Sequence, residues 1–298
     1  MKIVFNLQSV GLGNNGGSRT LIKSAETLKE LGHEAFIWTS ANNYSWHKIK
    51  VPVVSQEPKA DVIIATGYRS VKSTLASKTN KKYYYIRGFE LWQANKKDLL
   101  KSYRSLNCIV NSIWLKEFLN KEGIDCGLAY PGLDFDDFYI DPFIVRQPII
   151  GGLFSKKHET KRHVDIIEIG KRLDCKVLLL NRDVINPSRK QLNDFYNSIQ
   201  VWVAPTELEG LHNCPMEASL CGCAVVANDH PENGMKDYCN SKTSLVYNHR
   251  DIREATSMTN QLLQDYMMCS KLNRNMVDLL YMKIGDRKFN MQKLVEVF

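Results

Sequence analysis

One pattern constrains this chain more than any other: strand and helix signals alternate, stop, and then begin again. Residues 2–8 read as a strand and residues 11–17 as a glycine-rich turn, after which Leu21, Ile22, Ala25, Leu28 and Leu31 recur on one helical face until Gly32. Further strands are predicted at 34–39, 61–65, 83–86 and 108–111, with helical patterns between several of them. Short β-rich runs separated by helices require a mostly parallel sheet, because parallel neighbours need a crossover between them. Such sheets bind ligands beyond the carboxyl ends of their strands. The pattern lapses after Tyr130-Pro131-Gly132, through an acidic and aromatic stretch at 134–141, Pro142 and Pro148. It restarts with a strand at 148–153, a helix at 162–173, a strand at 176–180, a helix near 188–197 and a strand at 200–204, and ends in successive helices from 251 onward.

The expected fold is therefore α/β, with two Rossmann-like domains of mostly parallel sheets: 1–142, then 143–270, with helices at 271–298 packing back toward the first domain. A length of 298 residues suits two domains, and a hinge is expected at 140–148. No run approaches the ~18 consecutive apolar residues of a membrane span, and the apolar start is interrupted too early for a signal peptide. A cytoplasmic protein is the expectation. The eight cysteines follow no paired ligand spacing, so they are read as reduced thiols with no bound metal; Cys221-Gly222-Cys223 is read as packing.

The net charge of +8 is unevenly spread. Between Arg69 and Arg104 stand ten basic residues against two acidic ones, Glu90 and Asp98, interleaved with Tyr68, Tyr83, Tyr84, Tyr85, Phe89, Trp92 and Tyr103. That mixture suits a nucleic acid or peripheral contact with an anionic membrane, and equally a solvated helix face over core aromatics. Gly11-Leu12-Gly13-Asn14-Asn15-Gly16 fits the dinucleotide spacing G-x-G-x-x-G, but the second strand runs into Trp38-Thr39-Ser40-Ala41-Asn42, with neither an acidic residue for a ribose nor an Arg for a ribose phosphate. No Lys follows the last glycine, which excludes a phosphate-cradling nucleotidase loop. The glycines are expected to continue as a turn through Gly17-Ser18, open to a phosphate or a sugar at the following helix.

The most informative stretch is residues 205–227, Pro205-Thr206-Glu207-Leu208-Glu209-Gly210-Leu211-His212-Asn213-Cys214-Pro215-Met216-Glu217-Ala218 and onward into a strand. Glu209 falls in a polar loop and Glu217 inside the helix after it, so two carboxylates can address different parts of one ligand. The N–H groups at 211–214 open the helix and favour a diphosphate, and Pro215 fits its first turn. This stretch resembles the E-x7-E region of the family 4 retaining glycosyltransferases, which have the two-domain GT-B architecture. Other segments agree in order: Gly16-Gly17 before the first helix, Asn111-Ser112-Ile113-Trp114-Leu115 with the family's N-S-x-x-L, Tyr130-Pro131-Gly132-Leu133-Asp134 with its P-G-[IV]-D, and residues 196–205 with the approach to its P-S.

By that resemblance the two domains face each other across a cleft, Glu217 holds the donor ribose and Glu209 the sugar hydroxyls, and His212 and Asn213, with Gly210 and Leu211, lie against the diphosphate. Lys161 aligns with a cation that neutralises the leaving phosphate, and Lys156 stands near the family's Arg. Where relatives often carry a His after the fourth strand, this chain reads Arg87-Gly88-Phe89-Glu90. Arg87, Glu90 and Trp92 are the acceptor-side candidates, with Arg87 joining Glu209 and Lys161 as catalytic candidates; a salt-bridged surface pair of Arg87 and Glu90 is the bland alternative. The implied activity is transfer of a sugar from a nucleoside-diphosphate sugar, with retention and without an obligatory metal or cofactor. The acceptor stays open among a glycan, a lipid-linked sugar and a modified nucleic acid. An epimerase of the same architecture and a non-catalytic nucleotide-sugar-binding protein are the competing readings, and a nicotinamide oxidoreductase ranks last.

Overall fold

The computed structural model describes residues 1–156, 159–181 and 187–298. The chain divides into two compact units, Met1–Leu133 with Asp286–Phe298, and Asp134–Gly285. The sequence pattern put these divisions near 142 and 271.

The first unit runs β1 (Lys2–Asn6), α1 (Gly16–Glu30), β2 (Glu34–Trp38), β3 (Val53–Val54), β4 (Val62–Ala65), α2 (Val71–Ala76), β5 (Lys81–Ile86), α3 (Lys96–Tyr103), β6 (Asn107–Val110), α4 (Ile113–Lys121) and β7 (Cys126–Leu128). Its strands pair in parallel in the order β3-β2-β1-β4-β5-β6-β7. The chain leaves β1 in one direction and β4 in the other, so right-handed crossovers place α1 on one face and α2, α3 and α4 on the opposite face. Ile3 and Phe5 of β1 pack with Leu21, Ile22, Ala25 and Leu28 of α1 in a core that also takes Met291 and Leu294 from the end of the chain. Helix α1 begins at Gly16, with the Asn15 side chain capping Ser18 N–H at 2.8 Å, so Gly17 and Ser18 belong to the helix and not to the turn expected for them.

The second unit runs β8 (Gln147–Phe154), α5 (His163–Leu173), β9 (Val177–Asn181), α6 (Arg189–Asn197), β10 (Ile199–Ala204), α7 (Asn213–Leu220), β11 (Ala224–Asn228), β12 (Leu245–Tyr247), α8 (Ile252–Gln264) and α9 (Tyr266–Leu279). Among the described residues its strands are again parallel, in the order β12-β11-β10-β8-β9. The connections from β8 and from β10 depart in opposite directions, which makes the gap between those two strands the switch point of the sheet. The edge strands β3, β7 and β12 were not anticipated; at two or three residues each they are too short to show an alternation.

After Gly285 the chain returns to the first unit as α10 (Arg287–Glu296). Gly132 lets it close: its φ is +73°, and a Cβ there would lie 2.3 Å from the Arg287 Cα. Arg287 Nη1 donates to the Pro131 carbonyl at 2.7 Å.

Candidate functional site

In the second unit, β10 ends at Ala204 and the chain turns through buried Thr206 into the loop that leads to α7. That loop has little regular structure of its own, so it is fixed from outside. Asn233 Nδ2 donates to the Thr206 carbonyl at 2.6 Å, Gly234 N–H to the Glu209 carbonyl at 3.2 Å, and Tyr238 Oη to the His212 carbonyl at 2.6 Å. Gly234 lies so close to Gly210 that a Cβ on it would stand 1.7 Å from the Gly210 oxygen. Gly234→Ala is therefore expected to destabilise the second unit by about 2–3 kcal/mol, read as a lowered urea midpoint with an unchanged slope.

Held in this way, the loop presents Glu209 to Lys161, which reaches it from the segment following β8, and the two form an ion pair. His212 Nε2 is 4.0 Å from the same carboxylate oxygen. His212 occupies the N-cap position of α7 without a side-chain capping bond, and the first turn carries no acidic residue, so nothing in that turn offsets the positive end of the helix dipole. Gly210, Leu211 and Asn213 surround this helix start, and Glu217 lies buried one turn further in, accepting a hydrogen bond from Tyr196 Oη at 3.0 Å. Lys156 is exposed two residues beyond β8. Lys161, Glu209, Gly210, Leu211, His212, Asn213 and Glu217 thus gather at the carboxyl ends of the switch-point strands β8 and β10.

A second cluster of charged side chains stands beside them. Glu207 contacts Arg162 at 3.4 Å, Arg250 at 2.9 Å and His249 at 3.7 Å. Burial alone would raise its carboxyl, but the Arg250 hydrogen bond and the surrounding cations overcome this and hold it below the ordinary carboxylate range. Arg162 takes a left-handed backbone (φ 48°) and forks onto Asp165 at 2.6 and 3.0 Å. These partners come from separate strand ends, and no spacing in the chain signals them. Among the described residues, no three His, Cys, Asp or Glu side chains are grouped to hold a metal ion.

The remaining candidates lie in the first unit. Gly16 and Gly17 open α1, and Arg87 joins them from the end of β5: its Nη1 donates to the Gly17 carbonyl at 2.7 Å and its Nη2 to the Thr66 carbonyl at 3.1 Å. Asn111 Nδ2 donates in turn to the Arg87 carbonyl at 3.3 Å. Arg87 so ties together the loops at the carboxyl ends of β1, β4, β5 and β6. The surface salt bridge between Arg87 and Glu90 is not formed. Glu90 is buried, with its carboxylate on Tyr84 Oη, on Tyr68 N–H at 3.2 Å and on Gln93 Nε2 at 3.1 Å, because the tight turn at 89–93 folds it inward and leaves Trp92 exposed.

Burial raises the Glu90 carboxyl to about 7, against the lowering effects of Tyr84, Arg87 and the Tyr68 N–H. In the unfolded chain it ionises near the ordinary carboxylate value. Between those two values the folded state holds the extra proton, so this group's stabilisation is present in acid and is lost as pH rises through about 7. A loss on the order of 2 kcal/mol is expected between pH 5 and 8. Chemical denaturation across that range measures it, and Glu90→Gln should flatten the profile.

Residues 155–265 match the family model described as Glycosyl transferases group 1. Sucrose-phosphate synthase from Thermosynechococcus elongatus superposes with a TM-score of 0.79 at 12% identity, over 100% of this chain and 98% of the other. HepE from Anabaena, in complex with UDP and glucose, gives 0.80 at 15%, over 100% and 99%. The fold is the GT-B fold of glycosyltransferases. An alpha-glucosyltransferase in complex with UDP-glucose and DNA containing an abasic site shares it at 0.68 and 12%, over 100% and 98%. Among curated proteins, none matches the chain by sequence. The matched segment contains Lys156, Lys161 and every candidate from Glu209 to Glu217.

Proposed function

We propose that this chain is a retaining, metal-independent glycosyltransferase that moves a hexose from a nucleoside-diphosphate sugar to a hydroxyl-bearing acceptor. The observation that carries this reading is the Lys161–Glu209 pair set against the start of α7, with Glu217 one turn inside that helix. A helix N-terminus and a lysine together suit a diphosphate, and carboxylates on either side suit the hydroxyls of a ribose and of a sugar. In this reading Glu217 accepts from the ribose, Glu209 from the sugar, and His212, Asn213 and the backbone of Gly210 and Leu211 face the diphosphate, while Lys161 and Lys156 meet the charge that develops on the departing phosphate. The bond from the anomeric carbon to the phosphate oxygen breaks, the acceptor oxygen forms its bond on the same face, and its proton passes to the leaving phosphate. Arg87, bound to two carbonyls, acts by positioning the start of α1 at Gly16 and Gly17; Glu90 shapes the adjoining loop, and Trp92 borders the acceptor side.

HepE binds UDP and glucose, which supports uridine donors as the first to be screened. A glycan or lipid-linked acceptor is favoured, and the DNA complex of the alpha-glucosyltransferase keeps a modified nucleic acid among the acceptors to be offered. The test is a thermal-shift screen of UDP, GDP, ADP, dTDP and their sugars, followed by turnover of the stabilising donor with and without EDTA. One nucleotide should raise the melting temperature by mass action, and the chelator should leave both shift and turnover unchanged. No shift with any of them, or turnover to a free epimer without an acceptor, would reject the assignment.

A further inference from the structure

We infer that the face of the first unit built from α2, α3 and the loop before α3 is a docking surface for an anionic lipid membrane. This goes beyond sugar transfer and does not depend on it. Because the connections after β4 and β5 run in the same direction across the sheet, α2 and α3 cover the same side as neighbours. Leu99, Leu100 and Tyr103 of α3, and Val71 and Thr74 of α2, point inward, which turns Lys97 and Lys101 outward on one helix and Lys72 outward on the other, with Arg69 one turn before it.

Two features distinguish this face from an ordinary solvated one. Its cations are not neutralised: Arg69, Lys72, Lys78, Lys97 and Lys101 are exposed and form no ion pair or hydrogen bond among the described residues. Lys96, by contrast, pairs with Glu122 at 2.7 Å. Of the acids touching these elements, Asp98 accepts from Asn95 at the α3 N-terminus, Glu57 from Ser77 at the end of α2, and Glu90 is buried. Apolar side chains on the same elements are exposed as well: Trp92 of the loop before α3 is 63% exposed, Leu91 46% and Leu75 of α2 44%. Trp92 and Leu91 are held outward, since Phe89 and Glu90 anchor the same turn inside, with Leu91 N–H on the Phe89 carbonyl and Gln93 N–H on that of Glu90, both at 2.8 Å.

The choice of partner follows from that combination. A nucleic-acid backbone would satisfy the lysines but gain nothing from Leu75 and Leu91. A lipid interface takes both, the cations meeting anionic headgroups while an indole and two leucines enter the boundary with the acyl chains.

Sedimentation of the full chain with vesicles tests this. It should bind phosphatidylglycerol-rich vesicles and not pure phosphatidylcholine, and should be released as salt rises toward ~1 M. At about fivefold per cation near the surface, Lys97→Glu with Lys101→Glu should weaken partitioning at least ~20-fold, and Leu75→Ala should weaken it with little change in salt dependence. Both variants alter exposed side chains, so their melting temperatures and any donor-induced shift should match wild type. No sedimentation with anionic vesicles, equal sedimentation with neutral ones, or retention by the double variant overturns the inference. Binding of duplex DNA through these lysines without vesicle binding overturns it in favour of a nucleic-acid surface.

Discussion

Lys161→Ala should lower kcat by about 10²- to 10³-fold at saturating donor, the size of effect that follows loss of one preorganised charge or donor from a developing oxyanion. The lysine is half-buried and tied to Glu209, so its ammonium waits in place and need not be ordered during the reaction. Removing it also leaves the Glu209 carboxylate without that cation beside the incoming diphosphate, which adds repulsion. Lys161→Arg should recover part of the rate by restoring the charge with a different reach. Single-turnover kinetics with the donor identified by the thermal screen would measure this directly. A kcat within threefold of wild type would remove Lys161 from the chemistry and leave its pairing with Glu209 as a structural contact.

Glu217→Ala should weaken nucleotide binding by 10- to 100-fold, corresponding to about 1.5–3 kcal/mol for hydrogen bonds to a charged group. Glu217 is buried and its carboxylate is held by Tyr196 Oη, so the side chain is already oriented before any ligand arrives. The substitution also removes the acceptor of that hydrogen bond and lowers the stability of the apo protein. Each protein's ligand-induced shift must therefore be read against its own apo melting temperature. Tyr196→Phe separates the two effects: it keeps the carboxylate and loses only its orientation, so its nucleotide affinity should fall by less than that of Glu217→Ala. If the nucleotide stabilises Glu217→Ala as strongly as wild type, the ribose contact lies elsewhere.

Much of this molecule is local and was readable from the chain. Helical spacing in 21–31 and 162–173 and the short strands between helices gave the parallel α/β class, because those periods arise from residues a few positions apart. The same holds for the segment from Glu209 to Glu217, where loop and helix are contiguous and both carboxylates fall into place from their spacing. Other features depend on partners far apart in sequence, and no local pattern encodes them. Glu90 looked like half of a surface ion pair, yet the turn at 89–93 buries it against Tyr84 and the Tyr68 N–H. Arg87 looked like a group facing a substrate, yet it donates to Gly17, seventy residues away, and to Thr66.

The sequence by itself determined the two rounds of strand and helix and the order of the motifs along them, since backbone periodicity and capping are settled among near neighbours. Only the tertiary structure decided which side chains of α10 enter the first unit's core, that Glu207 gathers Arg162 and the adjacent His249 and Arg250 from two distant segments, and that the lysines of α2 and α3 share one face. Those outcomes follow from sheet order and close packing, which bring distant residues together at strand ends, where charge and burial are set by the neighbours in space.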